Sequence, residues 1–397
     1  MFPEAYSINC VRQIRLWIAE GFVKEKQGKI LEDVAQDYLK QLIYRSLVQV
    51  EWVDYDGSVR TCRVHDMIRE VIVSRSEELS CCHVSIRDCS SFDGIGRCLS
   101  IHNNLDTPLE RTTSSKTRSI IVSRADEVPN SFLSTCFENF KLMKVMDFEC
   151  APITYIPKEV GNLFHLRYLS LRGMKVQMLP KSINKLHNLE TLDLKRSLVS
   201  ELPTEISGLC KLRYLAGYIQ NDDIEYHINS RKAIKVPSGI GHLESLHKLY
   251  NVEACSNAFI AELGKLRLLR RLEITKLKRE NGKTLCIALK KMSDLRSLRI
   301  CATSEEEILE LQSILANDPL KVLQALPNLM NLRFLDGYEG KQLHFEGGGF
   351  QKLKYLTLEK LGGLNRLKID DGALPHLEKL RIGHSPHLKE VPLEFII

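Results

Sequence analysis

The sequence predicts an α/β fold in two parts: a small module of helices and a hairpin, then a solenoid of short parallel strands curved into a horseshoe. Three observations predict it. A six-residue apolar pattern returns through the C-terminal two-thirds of the 397 residues, at a fixed step over its first four units and less regularly after them. A second marker, an apolar residue followed by proline, keeps the same step. The first hundred residues lack this repeat and run helix, helix, hairpin, helix instead.

The module comes first. In NCVRQIRLWIAEGFV (9–23), Val11, Ile14, Ile18 and Phe22 fall near one helical face, and Leu16 is off by one. Asn9 is the expected cap and Gly21 the expected stop. LEDVAQDYLKQLIYRSLV (31–48) is the second helix, with Val34, Leu39, Leu42, Ile43 and Leu47 apolar. VEWV and RTCRV alternate around the turn YDG, so a hairpin follows. Asp66 before Met67-Ile68-Arg69 reads as the N-cap of a third helix. This order is that of a winged helix. DNA binding is not expected of it, because the second helix carries Glu32, Asp33 and Asp37 and residues 1–100 hold 13 Lys+Arg against 15 Asp+Glu. RCLSI and TRSIIVS, in a polar transition over 81–135, read as strands capping the first repeat.

The repeats start at Met143, Leu166, Leu189 and Leu212, a step of 23 residues each time. Ile156-Pro157, Leu179-Pro180 and Leu202-Pro203 keep that step. The pattern is the LxxLxL of leucine-rich repeats. It goes on at Leu246, Leu269, Leu295, Leu329, Leu353 and Leu377, so about ten units are expected over 136–397. Insertions fall at 219–235 and 305–319, the second read as helical from Ile308, Leu311, Ile314 and Leu315. In each unit the leucines point inward, and the return half brings residues such as Ile183 and Leu186 back to the core.

The x positions then point outward on the concave face. They include Arg167, Tyr168, Arg172, Lys195, Arg213, Tyr214, Arg270, Arg271, Arg296, Arg299, Lys354, Tyr355, Lys379 and Arg381, with Glu190, Asp193, Glu273 and Glu378 interleaved. Residues 136–397 hold 39 Lys+Arg against 31 Asp+Glu. Two readings stay open: a solvated face, or a basic surface that docks an acidic protein partner. Nucleic acid is not expected, since aromatics are few and the cations are not clustered into a phosphate track.

Several classes are excluded or disfavoured. No apolar run reaches the roughly 18–20 residues of a membrane span. MFPEAYSINC is not a signal peptide. The 12 cysteines are scattered without a CxxC, which favours free thiols in a reducing compartment over a zinc site. No Ser/His/Asp or Cys/His constellation emerges from the spacing, so an enzyme is not expected.

FPEAYSI, IRLWIAEGFV, VHD ahead of a helix, LRYLSLRG and LPKSINKLHNLETLDL together resemble plant intracellular immune receptors, the nucleotide-binding leucine-rich-repeat proteins of the coiled-coil class. The resemblance runs from Phe2 to Ile397. It implies that residues 1–80 hold the end of the nucleotide-binding region and its winged helix, in a cytoplasmic protein, with a peripheral position at the plasma membrane as the other option. The family's Met-His-Asp is here Val64-His65-Asp66. By resemblance His65 reaches the β-phosphate of bound ADP, and Asp66 orients the helix and switch region. The repeats would sense a pathogen effector or a modified host protein, with an ADP/ATP-dependent switch leading to the hypersensitive response and oligomers forming on activation. The family's P-loop is not found: Gly282-Lys283-Thr284 has Leu277 five positions before it. The chain is therefore expected to be the C-terminal portion of such a receptor, supplying at most one contact to ADP or ATP and resting on an upstream nucleotide-binding domain. The alternative is a truncated repeat scaffold or inhibitor that binds a protein partner with no nucleotide function.

Overall fold

A computed structural model describes residues 2–3, 5–54, 57–79, 82–85, 97–104, 116–220, 231–302, 319–335 and 341–389. The chain divides into two compact units, Met1–Leu198 and Val199–Ile397. The helical reading of 305–319 falls almost wholly outside the described residues.

The first unit opens with the winged-helix module. Strand β1 (Ile8–Asn9) leads into helix α1 (Cys10–Glu20), then α2 (Leu31–Tyr44), β2 (Val48–Val53), β3 (Val59–Val64) and α3 (Asp66–Glu78). The three strands form an antiparallel sheet in the order β1-β3-β2. Asn9 caps α1: its side chain accepts from the Arg12 N–H at 3.0 Å. Gly21 stops it at φ 87°, and the Phe22 N–H reaches back to the Trp17 carbonyl at 2.9 Å. The second helix ends at Tyr44, short of the expected 48. Ser46 turns left-handed at φ 58°, and the Leu47 N–H closes on the Leu42 carbonyl. The core of the module is Cys10, Ile14, Ile18, Val34, Ala35, Leu39 and Cys62.

One expectation needs correction. Asp66 is not the cap of α3. The Arg69 N–H bonds the His65 carbonyl at 2.9 Å, so His65 takes the cap position and Asp66 is the acid of the first turn. Its carboxylate is still favourable there through the helix dipole.

Six parallel strands follow: β4 (Cys82–Ser85), β5 (Cys98–Asn104), β6 (Ser119–Glu127), β7 (Val145–Asp147), β8 (Tyr168–Ser170) and β9 (Thr191–Lys195), with α4 (Asn130–Asn139) after β6. Each pairs with the next. The parallel sheet thus begins well before residue 136, and the two strands read as caps are rungs of it. The repeat leucines 166, 169, 171, 189, 192 and 194 are fully buried. Pro157 and Pro180 start short 3-10 turns (Lys158–Asn162, Lys181–Lys185) that return Val160 and Ile183 to the core.

The second unit repeats the scheme. Strands β10 (Tyr214–Gln220), β12 (Lys248–Glu253), β13 (Arg271–Leu277), β14 (Ser297–Ala302), β15 (Asn331–Leu335), β17 (Tyr355–Glu359) and β19 (Lys379–Ile382) pair in parallel in that order. The first insertion ends in β11 (Arg231–Ala233), antiparallel to β10. Helices α5 (Asn257–Leu263), α6 (Gly282–Leu289) and α7 (Pro319–Gln324) replace return turns, and β16 (Gln342–Phe345) pairs with β18 (Arg366–Ile369) in a separate sheet. Gly282 opens α6, whose Leu285, Ala288 and Leu289 are core residues, as a repeat element requires.

Gly173 tests the packing of the rungs. It sits at φ 71°, and an added Cβ would lie 2.7 Å from the Cys150 sulfur. Gly173→Ala is expected to destabilise the first unit by about 1–3 kcal/mol, read as a lower midpoint in urea unfolding.

Candidate functional site

The sheet of the first unit has an inner leucine face and an opposite face. On the opposite face the register aligns Ser119, Val145, Tyr168 and Thr191 in one row, and Ile121, Asp147, Ser170 and Asp193 in the next. These positions are expected to face solvent, yet all eight are buried. Helix α1 covers part of this face.

α1 carries two buried stripes. Cys10, Ile14 and Ile18 enter the module core. About 200° around the helix, Arg12, Leu16 and Ala19 face the rungs. Leu16 and Ala19 pack with Val145, Tyr168 and Phe2. Arg12 is only 4% exposed. Its Nε donates to Asp147 Oδ2 at 2.7 Å, and its Nη1 donates to Glu149 and to the Tyr6 hydroxyl. The Tyr6 hydroxyl in turn donates to Glu149 at 2.7 Å, and Arg172 meets the other Glu149 oxygen at 3.4 Å. Phe2 and Tyr6 stack at 4.9 Å, with the Arg12 guanidinium 5.0 Å from the Phe2 ring centre. Arg15 lies 3.9 Å from Asp193. Three arginines therefore face three carboxylates in the cluster.

The electrostatics follow from burial. Burial works against the Arg12 charge, but Asp147 and Glu149 outweigh it and hold the guanidinium well above its ordinary range. Burial pushes the Asp147 carboxyl up, opposed by Arg12. These two directions conflict, since a cation so firmly held implies an ionised partner. The contact decides for the charged pair: a guanidinium only donates, and at 2.7 Å it meets its match in a carboxylate. Tyr6 is pushed up to about 12, chiefly by burial. The pairing is single-point rather than forked. Arg12 Nη2 and Asp147 Oδ1 are buried and hydrogen-bond to none of the described residues.

The residues picked out in the sequence lie elsewhere. His65 and Asp66 are exposed at the start of α3, and none of the repeat residues named above is hydrogen-bonded to them among the described residues. On the repeats, Tyr168 is 1% exposed under α1, and Tyr214 is also buried. Arg296, Lys379 and Arg381 are exposed, while Arg167, Lys195, Arg213, Arg270, Arg271, Arg299, Lys354 and Tyr355 are half-buried, as is Arg172. Many of the cations are neutralised by the adjacent rung: Arg167 by Glu190 at 3.7 Å, Arg299 by Glu273, Lys354 by Glu378, and Arg381 by Glu359 at 3.2 Å. Arg271 stacks over Tyr250 at 5.1 Å.

A family profile described as "Disease resistance protein Winged helix domain" matches residues 1–72, and one described as "Leucine-rich repeat region" matches 116–317, half of the chain. The chain belongs to the leucine-rich-repeat disease-resistance proteins. It is similar to disease resistance protein RPM1 of Arabidopsis thaliana, 31% identical over 99% of this chain and 46% of that one. It is also similar to the putative late blight resistance protein homolog R1B-16 of Solanum demissum, 32% identical over 100% of this chain and 32% of the relative. A leucine-rich-repeat protein of Leptospira interrogans aligns with 72% of this chain and 66% of its own, at 21% identity and a TM-score of 0.41. This disease-resistance chain spans about half the length of the curated relatives first matched, 46% and 47%. No helix among its described residues is long and apolar enough to cross a membrane.

Two outcomes follow for the cluster in this disease-resistance chain. Arg12→Ala leaves the buried Asp147 carboxylate without its cation, while Glu149 keeps Arg172, and is expected to cost about 3–5 kcal/mol. Hydrogen exchange in α1 and β7 should rise accordingly, and Arg12→Ala with Asp147→Ala should fall short of additivity in a double-mutant cycle. The Tyr6 shift has a sign. Its folded pKa is raised, so its contribution is present below the ordinary tyrosine value of about 10 and is lost as pH rises toward about 12. Stability measured through that window should fall less steeply in Tyr6→Phe.

Proposed function

We infer that this chain is the recognition and restraint portion of a plant immune receptor, not an enzyme. The observation that carries this reading is the Arg12 cluster. It fastens the first helix of the winged module to the first rungs of the repeats through buried charge pairs and the small apolar contact around Leu16. A contact of mixed charge and modest apolar area suits a joint that holds and releases. In this reading the docked state is the resting state. Binding of a pathogen-derived or modified host protein to the repeats shifts the balance only by its differential affinity for the released state.

The nucleotide part of the switch rests on the family. His65, exposed at the cap of α3, would meet the β-phosphate of ADP held by an upstream domain, and Asp66 in the first turn would set the helix. A face for such a domain is at hand: Val50, Trp52 and Val53 on β2 and Met67, Val71 and Ile72 on α3 are exposed apolar residues of the module. ADP exchange for ATP and assembly into oligomers would follow release, in the cytoplasm or at the inner face of the plasma membrane. On the repeats, the exposed cations Arg296 and Lys379 favour an acidic protein ligand.

The test uses the full receptor in plant leaf tissue. Arg12→Glu and His65→Ala, each introduced singly, are expected to trigger cell death without ligand, and Asp147→Arg combined with Arg12→Glu should restore part of the restraint. Silent, well-expressed Arg12→Glu and His65→Ala receptors would sink the proposal.

A further inference from the structure

A cavity of about 780 Å3 opens between the module and the early rungs of the first unit. That size falls within the roughly 300–1,000 Å3 of small-molecule sites. Its walls are mostly apolar, with Leu16, Trp17, Leu42, Ile68, Ile72 and Ile121 among them. Its charged lining is one-sided: Arg63, Arg69, Arg97 and Arg118 against Glu20. Arg63 and Arg69 are engaged, with Gln49 at 3.4 Å and with the Phe2 carbonyl at 3.3 Å. Arg97 and Arg118 form no ion pair with any described residue.

The second observation lies in the sheet. Arg97, Arg118, Lys144 and Arg167 each stand one residue before a strand, at the same register position of four successive rungs. The backbone records it: the Arg118 N–H bonds the Arg97 carbonyl at 2.7 Å, Lys144 bonds Arg118 at 2.6 Å, and Arg167 bonds Lys144 at 2.8 Å. Rungs lie about 4.8 Å apart, so four cations stand in a column. Like charges stacked across a sheet are destabilising. Lys144 registers this: burial first, then Arg167 and Arg118, lower its pKa, opposed in part by Glu20. Glu190 neutralises the far end through Arg167. The near end, Arg97 and Arg118, borders the cavity.

We propose that the cavity binds a single-chain amphipathic phosphate, its apolar chain among Leu16, Trp17, Leu42 and Ile68 and its head on Arg97 and Arg118 with Lys144 behind them. A phosphate monoester carries about −1.5 to −2 at neutral pH, which answers two or three cations better than a carboxylate does. The chain accounts for the apolar volume and the head for Arg97 and Arg118 at the near end of the column. Val64 and Ile68, close to His65 in the chain, line this cavity and His65 itself does not; the proposal does not depend on the signalling reading.

Isothermal titration of the 397-residue chain tests it with four probes: decyl phosphate below its micelle concentration, neutral decyl maltoside, inorganic phosphate, and phosphatidylglycerol vesicles. Decyl phosphate is expected to bind one to one, at least roughly tenfold tighter than decyl maltoside or inorganic phosphate. Arg97→Ala with Arg118→Ala should weaken it by roughly tenfold, and Ile72→Trp, adding bulk at the cavity wall, by a similar factor. Arg97→Gln alone, at an exposed position, guards against misfolding and should still weaken binding. Equal affinity for decyl maltoside would remove the column from the site. Equal affinity for inorganic phosphate would remove the cavity. Binding to vesicles but not to monomeric decyl phosphate would mark a membrane surface instead, and no binding of decyl phosphate at all would end the proposal.

Discussion

The arrangement of the first unit depends on one buried cation. Arg12 enters the sheet face from α1 and finds Asp147, Glu149 and Tyr6 within hydrogen-bonding reach. Without it, the fully buried Asp147 carboxylate would sit beneath a helix with no cation, a state that costs several kcal/mol. Without the carboxylates, a guanidinium would be buried with only the Tyr6 hydroxyl as acceptor. The pairing also explains why Asp147, Ser170, Thr191 and Asp193 occupy positions that repeat logic assigns to solvent. The carboxylates among them meet Arg12 and Arg15 of the module's first helix.

The repeats were legible in the sequence because each unit obeys a local rule. A period of 23 residues with leucine and proline markers in phase leaves little freedom. The module was legible for the same reason: Asn9 and Gly21 are local signals with local mechanisms, and both act at the ends of α1 as the pattern implies. Asp66 shows the limit of such reasoning. A residue that caps well also serves well in the first turn, and only the Arg69–His65 bond distinguishes the two. The early rungs β4–β6 carry too few leucines to show the repeat pattern, so pairing with β7 reveals them and spacing does not.

The Arg12 cluster was not legible, since Arg12 and Asp147 lie 135 residues apart. One trace of it existed. Leu16 fell off the apolar face of the first helix, and so did the adjacent Arg15 and the buried Arg12. A residue that spoils one helical stripe while extending a second, at 12, 16 and 19, marks a helix with two neighbours. The charge of the basic positions on the repeats is smaller than their number implies. Arg167, Arg299, Lys354 and Arg381 each meet an acid on a neighbouring rung, a pairing at about one repeat length that composition cannot express.

Consider again the two stripes of α1. One belongs to the fold of the module and the other to its mooring. They share a backbone and the ring of Phe2, but Cys10, Ile14 and Ile18 pack with Val34 and Leu39 while Leu16 and Ala19 pack with Val145 and Tyr168. The module therefore has a way to leave the rungs as a rigid piece, with its own interior untouched. The rate of that departure is then independent of how stable the module is. Selection is free to make the module sturdy and the mooring light, and substitutions on one stripe adjust alertness without touching durability.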